Sequence, residues 1–180
     1  MIRPSLLIAA LRARCPVFAD RVVGAAQFKV LTEATALDLP AAFVIPLDDQ
    51  PQDDMAINDV RQSVRNSFGV VVAVSNVADE PGRTSTDAIW QIKRDLFAAL
   101  LGWRPTDEHN GITYEGGTLV ALDRARLWWQ FEFGAEMQLG PEDGWQQTEL
   151  GLLPGFETAR LEAVLADGAP PVTVVVELPQ

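Results

Sequence analysis

The segment from Leu127 to Leu139 constrains the fold more than any other stretch of the chain. Its odd positions, Leu127, Trp129, Phe131, Phe133, Ala135, Met137 and Leu139, are all apolar, whereas the even positions read Trp128, Gln130, Glu132, Gly134, Glu136 and Gln138. A period of two sustained over this length predicts a β-strand. A strand that is apolar on one side only belongs to a sheet with one covered face, and the cover needs an apolar stripe of its own. The stretch from Ala88 to Leu101 supplies that stripe. Ile89, Ile92, Leu96, Phe97, Leu100 and Leu101 recur at helical spacing, while Gln91, Lys93, Arg94 and Asp95 fall towards the other side. Thr84 to Asp87 offers N-cap candidates, Gly102 stands where a C-terminal glycine cap belongs, and Pro105 blocks continuation. Burying each of the large apolar side chains of this helix contributes about 1.5–3 kcal/mol before entropy is subtracted.

The remaining elements follow by the same reasoning. From Val60 to Val74 the even positions are mostly apolar, which predicts a second long strand over Val64 to Ser75. Pro4 to Cys15 reads as a first helix, with Pro4 in the first turn and Pro16 ending it. Val17 to Asp38 has no clean period and reads as irregular chain with one short helix. Phe43, Ile45 and Leu47 share a face of a short strand from Ala41 to Leu47, and Pro46 inside it points to a sheet edge or a strand end. Asp48 to Asp54 reads as a polar loop, Asp79 to Arg83 as a turn-rich connection, and Ile112 to Leu122 as a short hairpin turning at Glu115, Gly116 and Gly117.

Beyond Gly140 the composition shifts to glycine and proline, which reads as a linker. Val172 to Leu178 is a strand. Propensity favours a helix from Ala159 to Leu165, but the position of Thr158 to Ala166 before a turn and a strand favours a hairpin partner. The expected architecture is therefore α+β, a mostly antiparallel twisted sheet with helices packed on one face, plus a C-terminal β extension. Two regions are expected, 1–139 and 140–180, and the second is suited to serve as an arm that adds to a neighbouring subunit's sheet.

Signs of chemistry are sparse. A net charge of -11 disfavours binding to a phosphate backbone, because no cluster of Lys and Arg offsets the repulsion. The lone Cys15 permits no intrachain disulfide and reads as a core residue of the first helix. The apolar run Leu6 to Leu11 is too short for a membrane span, and Arg12 and Arg14 interrupt it, so a cytoplasmic chain with no membrane association is expected. His109, beside Asp107 and Glu108, has the type of a general base but lacks a nucleophile to serve, and reads as a surface residue. Neither a G-x-S-x-G elbow, nor an H-E-x-x-H pair, nor a phosphate-binding glycine loop occurs. Asp48, Asp49, Asp53, Asp54 and Asp59 lack the spacing of a calcium loop and read as solvated acids. No catalytic, cofactor-binding or metal-binding residue is therefore assigned, and the chain is not expected to be an enzyme. Trp128 points to the mostly polar side of the central strand, where a large aromatic either meets a partner or packs under the C-terminal segment. Trp145 shares that choice. Trp128, Trp145, Asp48, Asp49, Asp53 and Asp54 are the candidate interface residues.

The order of these features resembles the tail terminator proteins of long-tailed bacteriophages. The likeness is carried by Ile89 to Pro105 (IWQIKRDLFAALLGWRP), Tyr114 to Gly117 (YEGG) and Leu127 to Phe133 (LWWQFEF), with Phe68 to Asn76 (FGVVVAVSN) fitting the same layout. It covers roughly Met1 to Leu139. The resemblance implies a structural virion protein that assembles in the host cytoplasm as a homo-hexameric ring. Such a ring would cap the tail tube at its head-proximal end, stop polymerisation and join tail to head. It implies the tube protein and the head-tail connector as partners, with DNA passing through unbound, and it implies no cofactor. The rival readings are a neck or head-tail completion protein and, from another class, a small cytosolic ligand-binding protein or enzyme.

Overall fold

The computed structural model describes residues 1–26, 37–55, 60–76, 84–153, 158–163 and 172–177. The chain divides into two compact units, Met1–Gly140 and Pro141–Gln180.

The first unit opens with helix α1 (Pro4–Arg14), whose Leu7, Ala10 and Leu11 are buried. A 3-10 turn over Pro16–Phe18 follows, then the short strand β1 (Val22–Gly24), β2 (Ala41–Pro51) and β3 (Gln62–Ser75). Helix α2 (Thr84–Leu100) and strands β4 (Thr113–Leu122) and β5 (Arg126–Leu139) complete the unit. The five strands form one sheet in the order β1-β2-β3-β5-β4. β1 runs parallel to β2, and the other neighbours are antiparallel. β3 and β5 pair without interruption from Gln62 opposite Leu139 to Ser75 opposite Arg126, so the two longest period-two segments of the sequence lie side by side at the centre.

Both helices pack on one face, as expected. Leu7 and Leu11 of α1 and Ile89, Ile92, Leu96 and Leu100 of α2 bury against Phe68, Val70 and Val72 of β3 and Phe131, Phe133 and Ala135 of β5. The helices are also tied to each other. The Arg14 guanidinium donates to the Ala99 carbonyl at 2.8 Å and lies 4.7 Å from the centre of the Trp103 ring, and the Cys15 thiol points at the Asp95 carbonyl, 3.6 Å away. Burial, reinforced by the nearby Asp95 carboxylate, pushes that thiol up to about 11. Cys15 is a core residue, as its place on an apolar helix predicts. Gly102 ends α2 with φ at 75°, a conformation that glycine adopts without a side-chain clash.

Three expectations for this unit need correction. β1, inside the region read as irregular, is a strand of three residues, too short to show a period. Asp48 and Asp49 lie in β2 rather than in a loop: the strand continues past Pro46 through a bulge between Pro46 and Asp49. Ile112 to Leu122 is not a hairpin. Gly116 and Gly117 sit inside one continuous strand, β4, where bulges at Tyr114/Gly116 and Leu119/Ala121 take up the irregularity. The hairpin turn comes later, where the Asp123 carboxylate accepts the backbone N–H groups of Ala125 and Arg126 at 2.7 Å each. Those two bonds hold the Asp123 carboxyl below its ordinary range. The turn-rich connection at Asp79 to Arg83 and most of the segment before β2 lie outside the described residues.

In the second unit the glycine-rich stretch read as a linker holds a short helix, α3 (Trp145–Leu152). β6 (Thr158–Ala163) and β7 (Val172–Glu177) pair antiparallel, Thr158 opposite Glu177 and Ala163 opposite Val172. The hairpin reading is thus borne out over the helical one.

Candidate interface surfaces

His109 is held in a hydrogen-bonded chain that joins the loop after α2 to the sheet. The loop after α2 folds back so that His109 bridges to Met137 of β5 and is only 3% exposed, which corrects its reading as a surface residue. The Asn66 side-chain amide donates to the Asp49 carboxylate at 2.7 Å, which leaves its carbonyl oxygen facing His109 Nε2 at 2.9 Å. Nε2 therefore carries the proton, and Nδ1 accepts from the Thr106 hydroxyl at 2.7 Å. Arg104 Nε donates to the His109 carbonyl at 2.8 Å. Burial, helped by the N-terminal ammonium, keeps the ring below its ordinary pKa and so neutral. With both nitrogens engaged and the ring enclosed, no proton acceptor remains for a substrate. The chain Thr106–His109–Asn66–Asp49 instead fastens the loop to β3 and β2.

The acidic candidates lie along the far end of the β2–β3 hairpin. Asp49 is anchored through Asn66, with the N-terminal ammonium 3.8 Å away. Beyond β2 the ribbon continues, as Gln52 N–H donates to the Ser63 carbonyl at 2.9 Å and Met55 N–H to the Arg61 carbonyl at 2.8 Å. The Asp54 carboxylate accepts Arg61 N–H at 3.3 Å. Asp48, Asp49, Asp53 and Asp54 are exposed, so they share one solvent-facing hairpin end. Asp59 lies outside the described residues. Among the described residues no group of three or more His, Cys, Asp or Glu side chains is placed to hold a metal ion.

The two tryptophan candidates part company. Trp128 is 5% exposed and packs with Ala41, Phe43, Val71 and Ala73, its ring 5.9 Å from that of Phe43. The sheet face opposite the helices is thus apolar at this end, and the alternation of β5 misleads at Trp128 because its neighbours on that face come from β2 and β3. In the single chain Trp128 offers a partner almost no area. Trp145, the first residue of α3, is 71% exposed, and Leu150, Leu152 and Leu153 of the second unit are exposed as well.

A run of exposed apolar residues in the first unit was not among the sequence candidates. Leu119, Val120 and Leu122 on β4 are 48%, 47% and 58% exposed. The bulge at Leu119/Ala121 interrupts the alternation, so Leu119 and Leu122 stand opposite Trp129 and Leu127 on the helix-bearing face and Ala121 stands opposite Trp128 on the other. Among the described residues no strand pairs with the outer edge of β4. The inner half of the strand is fixed differently. Tyr114 packs on Phe97 and Phe133 with ring centres 4.8 and 5.6 Å apart, and Arg65 pairs with Glu115. A Cβ on Gly117 would come within 2.8 Å of both the Tyr114 hydroxyl and Trp129 Nε1, so only glycine lets these rings close against the strand. The signal in the sequence is the unbroken apolar run Leu119 to Leu122, which shows no alternation where a one-faced strand requires it.

Among the described residues the sheet thus ends in an unpaired edge with exposed apolar side chains. Residues 1–144 match the family model described as phage tail terminator protein. The chain belongs to the phage tail terminator family. It is a structural component of a phage tail, and the matched region spans the first unit with β4 and the acidic hairpin end. Trp145 and the β6–β7 pair lie past the match. Comparison with individually curated proteins gave no match. No helix among the described residues is long and apolar enough to cross a membrane.

Proposed function

We propose that copies of this chain form a ring that caps the tail tube at its head-proximal end, stops tube polymerisation and presents the surface on which the head connector sits. Membership of the tail terminator family supports the role, and the observation that carries the ring is the open apolar edge of β4. An edge of that kind on an otherwise well-packed sheet is a template for another chain. The six-fold count follows from the family resemblance. With a net charge of -11 on each copy, the ring would repel DNA passing through it and keep the passage free of bound phosphate. The exposed acids Asp48, Asp53 and Asp54 supply a charged contact for the tube protein.

Tail length in phage lacking this protein tests the reading. Overlong tubes are expected. Tubes of normal length that fail to join heads would assign the chain to the neck instead. Replacing Asp48, Asp53 and Asp54 together by Asn is expected to weaken capping, and unchanged tail length in that variant would remove the acidic hairpin end from the tube contact.

A further inference from the structure

We propose that the β6–β7 hairpin of one copy adds, through β7, to the outer edge of β4 on a second copy. The proposal rests on the ring reading above and names the contact that builds it. Three observations lead to it.

The acceptor is suited to strand addition. Leu119 to Leu122 contains neither proline nor charge, all its large side chains are exposed, and an incoming strand would gain apolar contacts as well as backbone hydrogen bonds. The opposite end of the sheet is not a suitable donor. Past the short β1, the outer side of β2 carries Pro46 and Pro51 and the acids Asp48 and Asp49, all of which obstruct pairing.

The donor is suited as well. An isolated two-stranded pair is marginal in water and gains stability from a third strand. β7 reads Val172, Thr173, Val174, Val175, Val176 and Glu177, so one face carries three valines while the other carries Val175 between Thr173 and Glu177, and Val175 is exposed. β6 carries Arg160 and Glu162 in its middle. With β7 against β4, β6 becomes the outermost strand, and its charges close the edge to further addition. Donor and acceptor are different surfaces, so each copy gives one hairpin and takes one. That is a head-to-tail contact, which closes into a ring when the rotation permits.

The test uses full-length chains carrying Leu119→Cys or Val175→Cys and a short bismaleimide crosslinker. Cys15 is buried, and its thiol is pushed up to about 11, so it stays unreactive. Thermal unfolding at the wild-type midpoint confirms that each variant folds. Mixing the two variants is expected to give a crosslinked pair containing one of each, and the double variant a ladder of products, while neither variant alone crosslinks. Adding Val174→Pro to the double variant, which keeps both thiols, is expected to abolish that ladder. Crosslinking of Leu119→Cys to itself would replace the proposal with a two-fold β4–β4 contact. Linkage confined to single chains of the double variant would show that the hairpin covers its own β4. No linkage would overturn the contact outright. If the ladder forms but the protein fails to cap tubes, the capping role fails and this contact stands; capping without the ladder has the opposite meaning.

Discussion

The two edges of the five-stranded sheet are built to opposite rules. On the β2 side, proline at 46 and 51 and two aspartates make the strand a poor template, and Asp49 is tied to Asn66 and, through it, to His109. On the β4 side, the inner half is locked by Tyr114, Phe97 and Phe133, while the outer half exposes Leu119, Val120 and Leu122 along an unpaired edge. A guarded edge and an open one on the same sheet would make the proposed self-association directional. Two open edges would favour unlimited sheet growth, and two guarded ones would leave a monomer.

The largest predicted effect is on the anchor beneath the open edge. Phe133 is fully buried and touches the rings of Phe68, Phe97 and Tyr114, so Phe133→Ala is expected to cost about 3–5 kcal/mol in urea unfolding. The guarded edge depends on polar contacts instead. Asn66→Ala leaves the buried His109 Nε2–H without its acceptor, and is expected to cost about 1–3 kcal/mol by the same measurement.

That edge is also expected to respond to pH. The folded His109 has a pKa below its ordinary value of about 6.5, so below that value the unfolded chain binds the extra proton more readily. This contribution to stability is complete above pH about 6.5 and declines as pH falls towards the folded pKa. His109→Gln, which retains a donor towards Asn66, is expected to lose that component of the pH profile of thermal unfolding.

The smallest effects on folding carry the sharpest information on association. Val120→Lys replaces an exposed side chain and is expected to change stability by less than about 0.5 kcal/mol, while a charge on the open edge blocks the contact between copies. Conversely, Pro46→Thr combined with Asp48→Val restores an N–H and removes a charge on the guarded edge. This pair is expected to produce concentration-dependent species larger than those of wild type in light scattering.

Much of this architecture is legible in the sequence, for a physical reason. β3, β5 and α2 each bury one face only, and a half-buried element writes its period into the chain. The failures occur where one residue type serves two structural ends. Gly116 and Gly117 mark a turn as readily as they mark a bulge, and Pro46 with Asp48 and Asp49 resembles a loop although the strand runs on past them. α3 is hidden by the glycines around it. His109 looks solvent-facing beside Asp107 and Glu108, because Asn66, the partner that encloses it, lies forty-three residues away in sequence. Among the interface candidates, the acids at 48, 49, 53 and 54 and Trp145 are exposed, Trp128 is buried, and the β4 run was legible only as an absence of alternation.

Sedimentation velocity of wild type beside Val120→Lys, over a wide concentration range, tests the central claim most directly. The account predicts a wild-type species near six times 19.7 kDa and a Val120→Lys chain that stays near 19.7 kDa with an unchanged unfolding midpoint. Two chains that sediment alike, whether both as rings or both as monomers, would contradict it.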